Sequence, residues 1–224
     1  ADARRYGPPI VITNAEYRFL VGEQAEELGI ALGGVLLEPV ARNTTAAIAA
    51  AAVFAERQSG PDAVIHVLPS DHAVTTDANY WDSVDTAIAA AANGRLVTFG
   101  IAPTSPETGY GYIEAGAEQG DGTRAVARFV EKPDANRAAQ MLAQGGFYWN
   151  SGMFMLGVGP FLAECRTLAP EAHAAASAAV DKARIDLDFV RLDEESFARS
   201  PNISVDYAIF EKTQLVALIP VSFP

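Results

Sequence analysis

Apolar residues along this chain gather in short runs separated by longer, alanine-rich stretches, the pattern of strands alternating with helices. Pro9 to Thr13 reads as a buried strand, and Asn14 is placed to cap a helix with apolar residues at Phe19, Leu20, Ala25 and Leu28 and a stop at Gly29. Val35 to Leu37 is a short strand, after which Asn43-Thr44-Thr45 opens an alanine-rich helix to about Gln58. Ala63 to Leu68 is apolar at nearly every position except His66, as expected of a central strand. A helix over Ala78 to Asn93, closed by Gly94, precedes a strand over Leu96 to Ile101. Tyr110 to Glu114 and Ala125 to Glu131 flank the turn Gly120-Asp121-Gly122 and predict an antiparallel pair. Asp134 starts a helix to about Gln144, Phe147 to Leu156 is extended, and Pro160 onward is helical to roughly Ala183. The charged stretch Lys182 to Arg199 reads as solvated helix or loop, Val205 to Thr213 as a short helix, and Leu215 to Val221 as a last strand.

Strands joined through helices of this length imply βαβ units and a mostly parallel sheet, in one α/β domain over residues 1–224. Half the residues are apolar, enough for a sizeable core. No apolar run reaches the ~18 residues of a membrane span. No basic-then-apolar leader opens the chain, and Cys165 is the sole cysteine, so a cytoplasmic protein without disulfides is expected. Cys165 itself reads as a packed helix residue, and His66 and His173 carry no chemical signal. The net charge of −12 argues against nucleic acid and against a basic membrane-binding face, both of which need clustered Lys and Arg. If the ligands are anionic, the few cations must be concentrated at the site or a metal must supply positive charge.

That makes two strand ends informative. Leu68-Pro69-Ser70-Asp71-His72 sets a carboxylate after an apolar run, and Phe129-Val130-Glu131-Lys132-Pro133 sets an ammonium after another. The chain has three lysines, Lys132, Lys182 and Lys212, so a lysine fixed before a proline stands out. The crevice outside the carboxyl ends of strands is where open α/β sheets bind ligands. A strand-end Asp suits Mg²⁺ and a strand-end Lys suits a phosphate, which suggests phosphate-transfer chemistry on a sugar or nucleotide. Asp71 also reads as a helix cap or turn residue. Glu38-Pro39 with Arg42-Asn43-Thr44-Thr45 ends a strand at a helix N-terminus, where backbone N–H groups and Arg42 suit a phosphate and Glu38 suits the paired N–H donors of a guanine edge. An ordinary capped helix with solvated Glu and Arg fits the same residues. Gly109-Tyr110-Gly111 allows close backbone approach to a ligand, and Tyr148-Trp149-Asn150-Ser151 offers aromatic and amide groups to a sugar face or, equally, to a buried strand. Asp186-Leu187-Asp188 has the D-x-D form of glycosyltransferase metal sites, but it lies in the charged stretch away from a strand end and is discounted.

Taken in order, Glu38-Pro39 to Thr44, Leu68 to His72, Phe99-Gly100-Ile101 with Pro106 to Ile113, Phe129 to Pro133, Trp149 to Phe154, and Ser204 to Ala208 with Glu211-Lys212 cover nearly the whole chain. The sequence resembles the bacterial mannose-1-phosphate guanylyltransferases (GDP-mannose pyrophosphorylases), in the long-chain class often fused to a mannose-6-phosphate isomerase module. The resemblance implies a Rossmann-like, three-layer, GT-A-like nucleotidyltransferase fold with a mostly parallel mixed sheet. It implies GTP and mannose 1-phosphate as partners, Mg²⁺ as cofactor and GDP-mannose as product for polysaccharide biosynthesis, and it leaves a homodimer open. By it, Asp71 is a Mg²⁺ ligand and catalytic together with Lys132, which holds the sugar phosphate. Glu38 belongs to the guanine pocket, and Asn43 and Thr44 sit by base and ribose. Gly111, Glu131 and Asn150 contact mannose hydroxyls, and Asp206 orders the sugar pocket or caps a helix. The family's N-terminal glycine-rich loop and the second metal-binding aspartate near its WSDVGSW-like segment have no counterpart in the 224 residues, so the expectation is an incomplete catalytic domain with little transferase activity. A non-catalytic sugar-nucleotide module and another sugar-1-phosphate nucleotidyltransferase are the alternatives. A metal-dependent glycosyltransferase would need D-x-D at a strand end, and Asp71 is followed by His72-Ala73.

Overall fold

Strands and helices alternate as the sequence predicts, but the strand directions do not follow from that alternation. The computed structural model describes residues 4–222. In chain order the elements are β1 (Ile10–Asn14), α1 (Arg18–Glu27), β2 (Gly34–Glu38), α2 (Asn43–Ser59), β3 (Val64–Val67), α3 (Ala78–Ala92), β4 (Leu96–Ile101), β5 (Tyr112–Glu118) and β6 (Arg124–Val130). There follow α4 (Ala135–Gln144), β7 (Phe147–Gly157), α5 (Val158–Leu168), α6 (Pro170–Asp181), β8 (Arg184–Asp186), β9 (Phe189–Arg191), α7 (Glu194–Ala198), a π-helical turn (Asp206–Phe210) and β10 (Val216–Val221).

The strands form two sheets, one of four strands in the order β1-β2-β9-β8 and one of six in the order β3-β7-β4-β10-β6-β5. Only β1–β2, β2–β9 and β4–β10 are parallel pairs among the described residues; the other pairings are antiparallel. The expected mixed sheet is present, but its pairings are mostly antiparallel rather than mostly parallel. The physical reason is β7. The α3 crossover does join two strands that run the same way, β3 and β4, but β7 lies between them and runs opposite to both. The first residues of β7 also pair with β5, which closes β7, β4, β10, β6 and β5 into a barrel-like ring.

The centre of the sheet is β4 and β10, buried along almost their whole length. β3, read from its apolar run as central, is instead an edge strand whose residues are all half-buried. Alternate positions serve two cores. Leu96, Leu156 and Leu218 face α2, α5 and α6, while Val97, Phe99, Met155 and Ile219 face α3. A strand covered on both faces reads as a continuous apolar run, as these do. The alanines have a clear use. Ala46, Ala49 and Ala50 of α2 and Ala172, Ala176 and Ala179 of α6 are all buried, and small side chains let those two helices pack closely.

Three further expectations change. The segment expected as a buried first strand is only half-buried, and α1 has no buried residue, with Phe19, Leu20 and Leu28 exposed. Asn14 caps the turn before that helix, its Oδ1 accepting from the backbone N–H groups of Glu16 and Tyr17 at 2.9 and 3.3 Å. The long helix after Pro160 is broken between α5 and α6, because Pro170 has no N–H to donate and suits only the first turn of a helix. The charged stretch folds as the β8–β9 hairpin and then α7; Leu187 takes the left-handed turn position (φ 55°), and the Asp186 carboxylate accepts from Arg191 Nε at 2.6 Å.

Candidate functional site: a cleft at one end of the six-stranded sheet

Segments from five strands converge on a cavity of about 510 Å³ whose lining includes Asp71, Tyr110, Gly111, Glu131, Lys132, Trp149, Asn150 and Asp206. Asp71 follows the end of β3, Glu131 and Lys132 follow the end of β6, and Gly111 precedes β5. Asn150 comes from β7, where the ladder to β4 shifts register between the Thr98–Phe154 and Gly100–Asn150 pairs. Gly152 sits inside that irregularity at φ 72°, a left-handed value glycine adopts without steric cost. A bulge of this kind re-aims the side chains beside it.

The polar groups of the cleft brace one another. Asn150 Nδ2 donates to Asp206 Oδ1 at 2.8 Å, and Thr98 Oγ1 donates to Asn150 Oδ1 at 2.9 Å. The Asn150 backbone N–H donates to the Gly111 carbonyl at 2.8 Å. The amide is thereby oriented, with one of its two hydrogens still to give. Burial and the nearby negative charge of Glu131 push the Asp206 carboxyl up to about 6. Burial also raises Glu131, opposed by the ammonium of Lys132, whose Nζ lies 3.4 Å from Glu131 Oε1. A Cβ at position 111 would sit 2.5 Å from Glu131 Oε2, so a larger residue just before β5 would push that carboxylate from its place.

Lys132 itself is held at φ 46°. A left-handed backbone costs a residue with a Cβ roughly 1–2 kcal/mol. A residue before proline is ordinarily extended. The ammonium is mostly exposed, free to turn toward a ligand in the cavity. Asp71 is more open still, its side chain 85% exposed, with His72 Nε2 3.9 Å away. Tyr110 and Trp149 meet edge to face at 5.3 Å on the wall, and the buried indole N–H of Trp149 makes no hydrogen bond among the described residues.

The other expected residues lie outside this cavity, at the turn from β2 into α2. Burial raises the carboxyl of Glu38 at the end of β2. Asn43 opens α2 at φ 62°, with its Oδ1 accepting from the Thr44 N–H at 2.9 Å. Thr44 Oγ1 accepts from the Val205 N–H at 2.9 Å, which ties this turn to the segment carrying Asp206. Arg42, expected near a phosphate, is bonded within the protein. Its Nε and Nη2 both donate to the Ala198 carbonyl at the end of α7, at 3.0 and 2.9 Å, and Nη1 donates to the Ala41 carbonyl. A guanidinium committed to carbonyls is part of the turn's structure.

Sequence reasoning did not single out Thr98, and it placed Tyr207 and Glu211 in a matching segment without giving either a role. Thr98 gave no signal, being one polar residue inside an apolar strand. Glu211 Oε1 accepts from the Glu131 N–H at 2.9 Å and Tyr207 OH donates to the Glu131 carbonyl at 3.3 Å. Among the described residues no three His, Cys, Asp or Glu side chains gather as a metal cage, and no helix is long and apolar enough to cross a membrane.

The chain is 52% identical over its full length to a mannose-1-phosphate guanylyltransferase of Sinorhizobium fredii, covering 44% of that protein. It is 49% identical over 95% of its length to the xanthan biosynthesis protein XanB of Xanthomonas campestris, covering 45% of it. The chain thus spans a little under half the length of these curated relatives. A solved Thermus thermophilus structure, described as a mannose-1-phosphate geranyltransferase, superposes with a TM-score of 0.81 at 30% identity, over 96% of this chain and 59% of that one. The Helicobacter pylori structure described as mannose-6-phosphate isomerase gives 0.83 at 30% identity, over 96% and 82%. A UDP-glucose pyrophosphorylase shares the fold at 10% identity and a TM-score of 0.56. The family model for nucleotidyl transferases matches residues 3–195, and the chain belongs to that family.

Proposed function

We propose that the chain is the sugar-phosphate-binding portion of a mannose-1-phosphate guanylyltransferase, which joins GTP and mannose 1-phosphate into GDP-mannose and pyrophosphate. The observation that carries this reading is the convergence of Asp71 and Lys132 on one cavity together with Glu131, Asn150 and Asp206. Lys132 meets the sugar phosphate. The free amide hydrogen of Asn150 and the carboxylate of Glu131 address mannose hydroxyls, Asp206 orders Asn150, and Gly111 lets the ring approach the backbone. Glu38, Asn43 and Thr44 address guanine and ribose, supported by the Thr44–Val205 bond that couples their turn to the cleft. GTP as substrate fits a cytoplasmic location, and the crevice at the strand ends fits a GT-A-like arrangement.

The reaction needs no covalent intermediate on the protein. A phosphate oxygen of mannose 1-phosphate forms a bond to the α-phosphorus of GTP, and the bond from that phosphorus to the α–β bridging oxygen breaks, its electron pair leaving on pyrophosphate. What this chain supplies is position and charge. Lys132 holds the attacking phosphate in line, and fixing two reactants in geometry lowers a barrier by up to about 7–11 kcal/mol. Charge placed in advance, in a site that need not reorganise, contributes much of the rest. The donor set fits Mg²⁺, which takes one or two carboxylates with substrate phosphates completing its shell; Asp71 is one open carboxylate at the cleft. When bound, such an ion neutralises the charge of the two anionic substrates.

Calorimetry tests the reading. The chain should bind mannose 1-phosphate, bind it more tightly than glucose 1-phosphate, and lose the Mg²⁺ dependence of nucleotide binding in Asp71→Asn. Absence of any mannose 1-phosphate binding would sink it, and equal binding of the glucose ester would move the chain to another sugar-1-phosphate specificity.

A further inference from the structure

The left-handed conformation of Lys132 is unusual for its residue type and its place before Pro133, so something must hold it. Neither neighbour in sequence supplies a reason. The hydrogen bonds to Glu131 do. Its N–H donates to Glu211 Oε1 at 2.9 Å, and its C=O, the carbonyl of the peptide leading into Lys132, accepts from Tyr207 OH at 3.3 Å. Both partners come from one short segment some eighty positions further on. That segment is π-helical, with the Glu211 N–H donating to the Asp206 carbonyl at 2.9 Å. The wider turn inserts an extra residue, and such insertions gather at functional sites. Below it, Phe210 is buried and stacks on Phe154 at a centroid distance of 4.3 Å, which fixes the turn to β7.

We propose that Glu211 and Tyr207 are positioning residues, a clamp on both polar groups of the Glu131 backbone that keeps Lys132 in its left-handed conformation and so aims the ammonium into the cleft. The clamp is a statement about the backbone. Its consequence for sugar-phosphate binding rests on the proposed function. The acceptor oxygen of Glu211 matters here rather than its charge, because a second carboxylate beside Glu131 is electrostatically unfavourable. Glu211→Gln therefore keeps the clamp and Glu211→Ala removes it.

Two measurements on the full chain separate the parts. Amide hydrogen exchange at Glu131 should be at least about tenfold faster in Glu211→Ala than in the unaltered chain, and close to unaltered in Glu211→Gln. Calorimetric affinity for mannose 1-phosphate should fall about tenfold in Glu211→Ala and recover to within about twofold in Glu211→Gln. In a Lys132→Ala background, Glu211→Ala should add less than about twofold, since the clamp acts through that lysine. Unchanged exchange in Glu211→Ala, or a Gln variant that behaves like Ala, overturns the clamp. Losses that add in the double variant overturn its link to Lys132. If the unaltered chain binds no mannose 1-phosphate, the functional reading falls while the exchange experiment still decides the clamp.

Discussion

The cleft and the β2–α2 turn both carry residues with the chemistry of a nucleotide-sugar site, and they are built differently. In the cleft the bonds span the chain: Asn150 to Asp206, Thr98 to Asn150, and Glu131 to Glu211 join positions fifty or more residues apart. At the turn the long-range bonds run to backbone atoms instead, Arg42 to the Ala198 carbonyl and Thr44 to the Val205 N–H, while Asn43 bonds to its neighbour Thr44. The cleft sits on buried rings, with Phe129 and Phe154 both stacked on Phe210. The difference shows which half is fixed before a ligand arrives. A network braced at several points costs little reorganisation on binding. At the turn, Glu38 and Asn43 make no side-chain bond to a distant part of the chain among the described residues, so they can adjust to a larger and more flexible ligand.

The comparison breaks first if the ring stack is not what fixes the cleft. Phe210→Ala removes a buried ring between two strands and should cost about 3–5 kcal/mol of stability by urea denaturation. Nucleotide binding by the folded fraction should suffer less than sugar-phosphate binding; equal losses would mean the two regions are not separable. Next comes Lys132→Ala. It should weaken mannose 1-phosphate binding about a hundredfold and guanosine binding less than about twofold, both read by calorimetry. Comparable losses of both ligands would put the lysine outside the role assigned to it.

The same contrast explains what could be read in the sequence. A strand-end carboxylate and ammonium flanked by prolines were visible because they interrupt apolar runs, and the structure brings Asp71 and Lys132 to one cavity. Strand order was not visible. Periodicity tells that β3 and β4 are strands on either side of a helix, but nothing local tells that β7, far along the chain, lies between them. Burial misled for the same reason: an apolar run reads alike at the centre and at an edge, as β3 shows. Arg42 looked free because its partner, the Ala198 carbonyl, is a backbone atom in a distant helix. Glu211 and Tyr207 were seen as part of a motif, but their bonds to a backbone leave no trace in residue type.

Asp206 gives a smaller effect with a defined sign. Burial and the charge of Glu131 push its carboxyl up to about 6 in the folded chain, above the ordinary aspartate value near 4. Between those values the folded state binds more protons than the unfolded state. Stability from this group is therefore greatest below about pH 4 and is lost as pH rises through about 6, by at most about 3 kcal/mol. His66 runs the other way. Its burial lowers it to about 4, so its contribution falls as pH drops from about 6.5. The difference between the unaltered chain and Asp206→Asn isolates the aspartate: the variant should match it at pH 4 and exceed it at pH 7 in thermal melts. A variant less stable at pH 7 would show that the charge at Asp206 is supported rather than strained. Whatever the stability, sugar-phosphate affinity should fall if Asp206 orders Asn150.

The smallest effect is the most direct test of how the two regions communicate. Thr44 stands at the first turn of α2, and its hydroxyl oxygen accepts the N–H of Val205, the residue before Asp206. Among the described residues no other hydrogen bond of Glu38 to Thr44 reaches the segment that carries the cleft's aspartate; the next N–H, of Thr45, donates to the Ile203 carbonyl at 3.4 Å. Thr44→Val keeps the shape and removes the acceptor, leaving one backbone donor unpaired, which costs about 1–3 kcal/mol where water cannot replace it. Thr44 is exposed and Val205 buried, so the lower end of that range is expected in urea denaturation. Thr44→Ser, which keeps the oxygen, should be nearly neutral. The informative quantity is coupling. If the turn and the cleft are linked through this bond, GTP should strengthen mannose 1-phosphate binding in the unaltered chain, and the enhancement should shrink in Thr44→Val while the affinity for either ligand alone changes little. An enhancement that survives in the valine variant would place the link elsewhere, through α2 itself or through the ligands in contact.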